Sequence, residues 1–205
     1  HQALAAGQKG DGITAFVNVG GIANVTFVGG GNPVAFDTGP GNALIDQWVQ
    51  ANAGIPFDDR GRIASEGSVD DARVTAFLDH DYFRRKLPKS LDRNDFSPDL
   101  VAGMELSDGA RTLAAMTARS ILGSAIHAHG NVSQWIICGG GRKNAAILAE
   151  LKVGAKDAEV MVAEDAGFDG GAMEAEAWAY LAVRSLKSLP ITFPDTTGVK
   201  EPVTG

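Results

Sequence analysis

One glycine-containing turn and the carboxylate that follows it are the residues of this chain best suited to bind a phosphorylated ligand. Gly20-Gly21 lets the backbone approach a bound group closely, and Asn18 and Asn24 flank the turn with amide side chains. Backbone N–H groups in such a turn bind phosphate, and the Asp37 carboxylate suits a metal ion that accompanies the phosphates. A tight hairpin that needs glycine only for its own geometry is the alternative interpretation.

Short apolar runs bounded by Gly, Asn or Pro surround these residues and predict a three-stranded antiparallel meander. The runs cover residues 13–19, 25–28 and 34–36. A helix is predicted to follow Pro40-Gly41-Asn42 and to end at Gly54, and a long helix is predicted to begin at Ser107. The last third alternates between strands at 134–138 and 159–163 and helices at 144–152 and 171–187.

Three antiparallel strands followed by β-α-β-α predict an α/β fold, specifically one ribonuclease-H-like half of an actin-like ATPase. We expect a single lobe: residues 1–54 form the meander and first helix, 55–106 a helical and loop insertion, and 107–205 the helix and the β-α-β-α unit. The 205 residues are 44% hydrophobic and 21% charged, which is enough to bury a core.

The net charge of −7 argues against a nucleic-acid-binding surface, which is normally basic. No run approaches the ~20 apolar residues of a membrane-spanning helix. The single cysteine, Cys138, excludes an internal disulfide framework. With no signal-peptide pattern at the start, these features predict a cytoplasmic protein without nucleic-acid or membrane partners.

The final predicted helix carries one acidic residue in an unusual position. Residues spaced about 100° apart place Glu174 between Trp178 and Leu181, on the apolar side of the helix. A carboxylate on a buried face needs a partner. We therefore expect Glu174 either to form an ion pair with an arginine such as Arg119 or to face a polar cleft.

Five sequence blocks and the tail Thr197-Gly198 closely resemble anhydro-N-acetylmuramic acid kinase. The blocks are Asn-Val-Gly-Gly-Ile-Ala-Asn-Val-Thr at 18–26, Ala-Phe-Asp-Thr-Gly-Pro-Gly-Asn-Ala-Leu-Ile-Asp at 35–46, Pro-Lys-Ser-Leu-Asp-Arg at 88–93, Cys-Gly-Gly-Gly-Arg-Lys-Asn at 138–144 and Met-Glu-Ala-Glu-Ala-Trp-Ala-Tyr-Leu-Ala at 173–182. The resemblance covers nearly the whole chain. It implies an ATP- and Mg²⁺-dependent sugar kinase that phosphorylates 1,6-anhydro-N-acetylmuramic acid while water opens the anhydro ring, giving N-acetylmuramic acid 6-phosphate in cell-wall recycling.

The resemblance also assigns roles to individual residues. It implies that phosphate and ATP are bound by Asn18, Gly20, Gly21 and Asn24 and, on the adenosine side, by Gly139, Gly140, Gly141 and Asn144. It implies sugar contacts from Asp37, Thr38, Gly39, Pro40, Gly41, Asn42 and Glu174. Lys89, Arg93 and Asp46 are further candidates, and Asp37 is the candidate magnesium ligand.

The family is longer than this chain and carries a further phosphate loop and a catalytic aspartate in its first half. We therefore expect this chain to be the C-terminal lobe without its N-terminal lobe, to contain no catalytic base and to be inactive alone. The resemblance implies a homodimer for the full-length enzyme.

Three other functions share parts of these patterns. The 138–164 stretch, with Glu164 after the second strand, resembles an NAD-binding unit of an oxidoreductase, although Asn144 replaces the third glycine. Phe36-Asp37-Thr38-Gly39 resembles an aspartic-protease motif, but there is no second copy and the chain is heavily helical. A non-catalytic actin-like module that only binds nucleotide is the third alternative.

Overall fold

The computed structural model describes residues 1–6 and 12–204 of the chain. Within these residues, five strands form one sheet in the order β3-β2-β1-β4-β5. The strands are β1 (Ile13–Val19), β2 (Ile22–Val28), β3 (Val34–Pro40), β4 (Val132–Cys138) and β5 (Glu159–Val162). β1, β2 and β3 pair antiparallel, whereas β1–β4 and β4–β5 pair parallel. The predicted α/β, ribonuclease-H-like arrangement is confirmed.

The described helices vary from single turns to five turns. They are α1 (Gln2–Ala5), α2 (Ala43–Ala53), α3 (Arg62–Ser65), α4 (Asp71–Leu78), α5 (Asp81–Arg84), α6 (Leu106–Gly123), α7 (Ala145–Gly154), α8 (Met173–Leu186) and α9 (Pro194–Thr197). None of them combines the length and the apolar composition that crossing a membrane requires. α6 begins after Glu105, so the predicted cap at Ser107 is wrong by two residues.

Strands β2 and β3 extend further than their apolar runs predict. Ile22 pairs with Pro40 and Ala23 with Gly39, which adds residues at the glycine-rich end of the hairpin. Glycine and polar residues have low strand propensity, but ladder hydrogen bonds to a neighbouring strand keep them extended. The site residues between 37 and 40 therefore lie on a strand rather than in a loop.

One side of the sheet, which we call the inner face, is covered by helices. α6 packs on β2 and β3, and α2, α3, α4 and α7 pack around α6. Leu113, Met116 and Ile121 on α6 are fully buried in the resulting core. Trp48 of α2 fixes the crossing of the two helices, because its indole N–H donates to the Leu106 carbonyl at 2.9 Å.

The opposite side, the outer face, has a much smaller core. Its buried residues are Phe16, Val28, Ile136, Cys138 and Ala163. α8 lies on this side, where Met173 packs against the small core. None of the residues of α8 is buried.

Candidate functional site

The predicted phosphate, adenosine and sugar segments meet at one edge of the sheet. β1, β3 and β4 run in the same direction, so their carboxyl ends lie together. The Gly20-Gly21 turn follows β1, the Gly41-Asn42 segment follows β3, and Gly139 follows β4. Binding sites of α/β sheets lie beyond the carboxyl ends of the strands.

The Gly20-Gly21 turn is bonded directly to the start of α2. The amides of Gly41 and Ala43 donate to the Gly21 carbonyl at 2.9 and 3.2 Å, and the amide of Asn42 donates to Gly20 at 2.8 Å. The Asn42 side-chain amide also donates to the carbonyls of Val19 and Gly20, each at 3.3 Å. Backbone carbonyls of the turn thus satisfy amides at the beginning of this helix, where a side-chain cap is usual.

Gly41 is required by this close approach. A Cβ atom built at Gly41 would lie 2.3 Å from the Gly20 carbonyl oxygen, far inside van der Waals contact. The 37–42 segment and the 18–24 segment, predicted separately from the sequence, therefore form one packed unit.

The Gly139–Gly141 loop packs on the end of β1. Gly139 has φ +69°, and a Cβ there would lie 2.3 Å from Asn18 Oδ1. A Cβ at Gly141 would lie 2.3 Å from Val19 Cγ1. Gly140 is exposed, and a Cβ there would meet only the Asn42 side-chain nitrogen, at 3.8 Å.

Two backbone donors at this edge are available to a ligand. Within the described residues, the N–H groups of Gly21 and Gly140 donate to no protein acceptor, and both residues are exposed. Asn144, in contrast, is 5% exposed, and its side-chain oxygen accepts from the amides of Ala146 and Ile147. That oxygen caps α7, so Asn144 ends the loop by fixing a helix.

Three predicted side chains form a row across the sheet. Asn18 pairs with Asn24, and Asn24 pairs with Asp37, so the three residues lie side by side on β1, β2 and β3. Directly paired residues point to the same face. Phe16, two residues before Asn18, lies in the small core of the outer face, which places the row on that face.

Asp37 is held by Leu91, which belongs to the sequence block at 88–93, and by Tyr82, which was not among the predicted site residues. Asp37 Oδ2 accepts from the Leu91 amide at 2.8 Å, and its backbone carbonyl accepts from the Tyr82 hydroxyl at 2.5 Å. Burial raises the pKa of Asp37, and the Leu91 hydrogen bond partly offsets that rise. Tyr82 is 1% exposed and was missed, because a buried tyrosine in an irregular stretch gives no periodic signal.

Lys89 does not extend into open solvent. Its ammonium group lies 4.6 Å from the centroid of the Tyr82 ring and 5.4 Å from that of Phe36, and it donates to the Tyr82 carbonyl at 3.3 Å. Burial and the charge of Arg85 lower the pKa of Lys89. Its backbone carbonyl accepts from the Asp37 amide at 3.5 Å, so Lys89 contributes to the frame around Asp37.

Asp46 and Arg93 are the remaining secondary candidates. Burial and the charge of Asp58 raise the pKa of Asp46, and the charge of Arg93 lowers it. Asp58 is itself buried and accepts from the amides of Ile63 and Ala64. Asp46 and Arg93 therefore influence each other electrostatically, and Asp58 has a structural role at the start of α3.

The prediction that Glu174 lies on a buried helix face is wrong. Glu174 is exposed, Trp178 on the same side is 66% exposed, and Leu181 is half-buried. Arg119, its proposed ion-pair partner, binds Asp71 at 2.6 Å and Glu150 at 3.4 Å. The side of the helix that the wheel predicts to be buried is therefore only partly covered, since Leu181 lines a cavity whereas Trp178 and Glu174 are exposed.

Glu164, the acid of the NAD-binding alternative, is engaged by Arg142. Arg142 Nε donates to Glu164 Oε1 at 2.8 Å, and this hydrogen bond lowers the pKa of Glu164. The Arg142 Nη1 group donates to the Gly139 carbonyl at 2.8 Å. A ribose hydroxyl would have to compete with this arginine, which disfavours the dinucleotide interpretation.

A cavity of about 600 Å³ lies next to the polar row on the outer face. Thr26 and Ala35 line it. Thr26 lies two residues after Asn24 on β2, and Ala35 lies two residues before Asp37 on β3. α8 contributes Glu176 and Tyr180 to the opposite wall. Among the described residues, no group of three or more His, Cys, Asp or Glu side chains could hold a metal ion.

Comparison with known proteins gives one consistent family. The family model for anhydro-N-acetylmuramic acid kinase matches residues 1–204. The curated anhydro-N-acetylmuramic acid kinase of Agrobacterium fabrum is 54% identical over 193 residues, which are 93% of this chain and 52% of that protein. The kinase of Rhizobium etli is 51% identical over 208 residues, covering 100% of this chain and 56% of that protein. The chain thus spans about half the length of the curated relatives it matches.

Solved structures give only weak likenesses. The activator of the 2-hydroxyisocaproyl-CoA dehydratase from Clostridium difficile with bound ADPNP has a TM-score of 0.48 at 13% identity, covering 73% of this chain and 53% of that chain. Component A of the (R)-2-hydroxyglutaryl-CoA dehydratase of Acidaminococcus fermentans has a TM-score of 0.46 at 13% identity, with coverage of 73% and 54%. Neither likeness is high enough to support a conclusion.

Proposed function

The chain belongs to the anhydro-N-acetylmuramic acid kinase family, and on this premise we propose that it forms one part of an ATP-dependent sugar kinase. The acceptor is 1,6-anhydro-N-acetylmuramic acid, and hydrolytic opening of the anhydro ring accompanies phosphorylation to N-acetylmuramic acid 6-phosphate. The observation that carries the proposal is the family match over residues 1–204, together with the identities of 54% and 51% to the curated kinases.

ATP is the proposed phosphoryl donor, bound at the edge of the sheet described above. The free N–H groups of Gly21 and Gly140 are suited to oxygen acceptors of a nucleotide, and the Gly139–Gly141 loop offers a surface without side chains to the adenosine. Phosphoryl transfer depends mainly on positioning and charge neutralisation, for which backbone donors in a fixed loop are appropriate.

Magnesium is the proposed companion of the nucleotide. No protein cluster capable of holding a metal by itself occurs among the described residues, so the ion would be held chiefly by phosphate oxygens. Asp37 is the proposed carboxylate ligand: Oδ2 accepts from Leu91, and Oδ1 accepts from no described residue. When bound, Mg²⁺ supplies charge neutralisation of the transferred group.

The sugar is proposed to contact residues 37–42 and Glu174. No residue of this chain is proposed as the general base, and since the curated relatives are nearly twice as long, we propose that this chain alone is inactive. A homodimer of the full-length enzyme and a cytoplasmic location complete the proposal, on the strength of the family resemblance.

Calorimetric titration of the chain with Mg-ATP and, separately, with NAD tests the nucleotide assignment. We expect binding of Mg-ATP and none of NAD, and no turnover of the anhydro sugar by the chain alone, in contrast to the full-length Agrobacterium fabrum kinase. Binding of NAD without ATP, or turnover by the chain alone, contradicts the proposal.

A pair of glycine substitutions locates the nucleotide. Gly140→Ala adds a methyl group that contacts only the Asn42 side chain, on the exposed side of the loop, so ATP affinity should fall several-fold while stability is kept. Gly123→Ala is the matched control, because a Cβ at Gly123 meets nothing within 4 Å and the residue lies at the end of α6. Equal affinities for both variants would place ATP elsewhere.

A further inference from the structure

Arg142 connects the glycine loop to the segment that follows β5. Its side chain is 12% exposed, against 48% for its partner Glu164. Nε donates to Glu164 Oε1, and Nη1 donates to the Gly139 carbonyl, each at 2.8 Å. The planar guanidinium group thereby fixes two acceptors in one geometry, which a lysine ammonium cannot reproduce.

The direction of the Gly139 carbonyl determines the direction of a free donor. The carbonyl of Gly139 and the N–H of Gly140 belong to the same planar, trans peptide unit, so they point in opposite directions. Arg142 attracts the carbonyl, which turns the Gly140 N–H away from the arginine. That N–H donates to no acceptor among the described residues.

Glycine at position 139 makes this peptide unusually dependent on its partners. Its φ of +69° is accessible to glycine without steric cost, and glycine has more backbone freedom than any other residue. Within the described residues, the Gly139 carbonyl accepts from the Arg142 side chain at 2.8 Å and, less favourably, from the Arg142 amide at 3.4 Å. Removing the side chain leaves only the longer bond.

Gly170 leaves the space that the guanidinium group occupies. A Cβ at Gly170 would lie 2.4 Å from Arg142 Nε and 2.9 Å from Cδ and Cζ. Adding that carbon would displace the arginine without changing it, which gives a second and independent way to disturb the same contact.

We propose that Arg142 is a positioning residue that orients the Gly140 N–H toward the bound nucleotide by fixing the Gly139 carbonyl. This inference rests on the proposed ATP site. It goes beyond that site because it gives Arg142, which is not proposed to contact the nucleotide, the role of orienting the Gly140 N–H.

Residual dipolar couplings of the ligand-free chain measure the Gly140 N–H direction, and calorimetry measures Mg-ATP affinity. In Arg142→Lys and Gly170→Ala we expect a changed Gly140 coupling and roughly tenfold weaker ATP binding, as for the loss of one charge-assisted hydrogen bond. Lys152→Ala is the matched control, since it removes an exposed positive charge from the last turn of α7, at the opposite end of that helix from the loop, and should change neither quantity.

The lysine variant separates positioning from a purely structural role. The ammonium group introduced by Arg142→Lys could still form an ion pair with Glu164, so a structural role predicts unchanged affinity in that variant. An unchanged Gly140 coupling in both variants overturns the inference whether or not the chain binds ATP. A changed coupling with unchanged ATP affinity also overturns it. Failure of the wild-type chain to bind ATP contradicts the proposed nucleotide site instead, and is seen before any variant is made.

Discussion

The inner face of the sheet is covered by α6 with α2 and α7 beside it, whereas the outer face carries α8 above a cavity of about 600 Å³. α6 buries eleven of its residues, and α8 buries none. For α8, the residue spacing nevertheless predicted a buried apolar side between Trp178 and Leu181. The difference shows that an amphipathic pattern identifies the side of a helix that needs a partner without showing that the partner is present.

A matched pair of leucine substitutions tests this difference most directly. Leu113 on α6 is 1% exposed, so Leu113→Ala should lower the free energy of unfolding by about 2–5 kcal/mol through lost burial and a new cavity. Leu186 on α8 is 87% exposed, so Leu186→Ala should change it by less than about 0.5 kcal/mol. Urea denaturation of both variants measures the two values. Similar losses would show that α8 is packed in solution.

Two tyrosines allow the faces to be compared through the loss of a single hydroxyl hydrogen bond. Tyr82→Phe removes the buried bond to the Asp37 carbonyl and should cost about 1–2 kcal/mol of unfolding free energy. Tyr180→Phe removes the exposed contact between the hydroxyl and Arg184 Nη1 and should cost close to nothing. Urea denaturation again gives both values, and an equal cost would contradict the contrast between the faces.

Asp37 belongs to the polar row on the outer face, and its substitution should give the smallest of these contrasts. Its folded-state pKa is raised above the ordinary value of 3.8, so the folded state holds the proton more tightly and this carboxyl destabilises the fold as pH rises through that raised pKa. Asp37→Asn cannot titrate and still offers Leu91 an acceptor. We expect the variant to be as stable as the wild type at about pH 4 and up to about 1 kcal/mol more stable at about pH 7.

Stability measured in urea at the two pH values checks this expectation. Asp81→Asn is the control, because the Asp81 side chain is 92% exposed. A variant that is less stable than the wild type at neutral pH would mean that the Asp37 charge stabilises the fold.

The sequence was sufficient for most of the fold because local signals agreed with the tertiary structure. The β1 bounds were predicted correctly, and Gly54 ends α2 in the left-handed conformation expected of a helix-terminating glycine. The ends of β2 and β3 were missed, since their pairing depends on a neighbouring strand rather than on residue propensity. The environment of Glu174 was missed because burial requires a second surface.

The parts of the site that depend on glycine backbone conformation could be predicted from the sequence. Glycines that permit close approach stand out in a sequence, and the structure brings Gly41 and Gly139 into contact with the Gly20-Gly21 turn and β1. The roles of Tyr82 and Arg142 were not predicted. Tyr82 donates to the Asp37 carbonyl, which is far away in sequence, and Arg142 donates to the Gly139 carbonyl, whose direction only the folded loop shows. No spacing rule links residue 82 to residue 37.

The bonds between the hairpin turn and α2 have a consequence for sequence-length variation. Turns between strands ordinarily tolerate inserted residues, because their backbone groups face water. Here the carbonyls of Gly20 and Gly21 accept three amides from residues 41–43, so an insertion would separate these groups and leave the start of the helix without its acceptors. The two-residue connection between β1 and β2 is the shortest in the sheet, and we expect its length to be fixed by these bonds to residues 41–43.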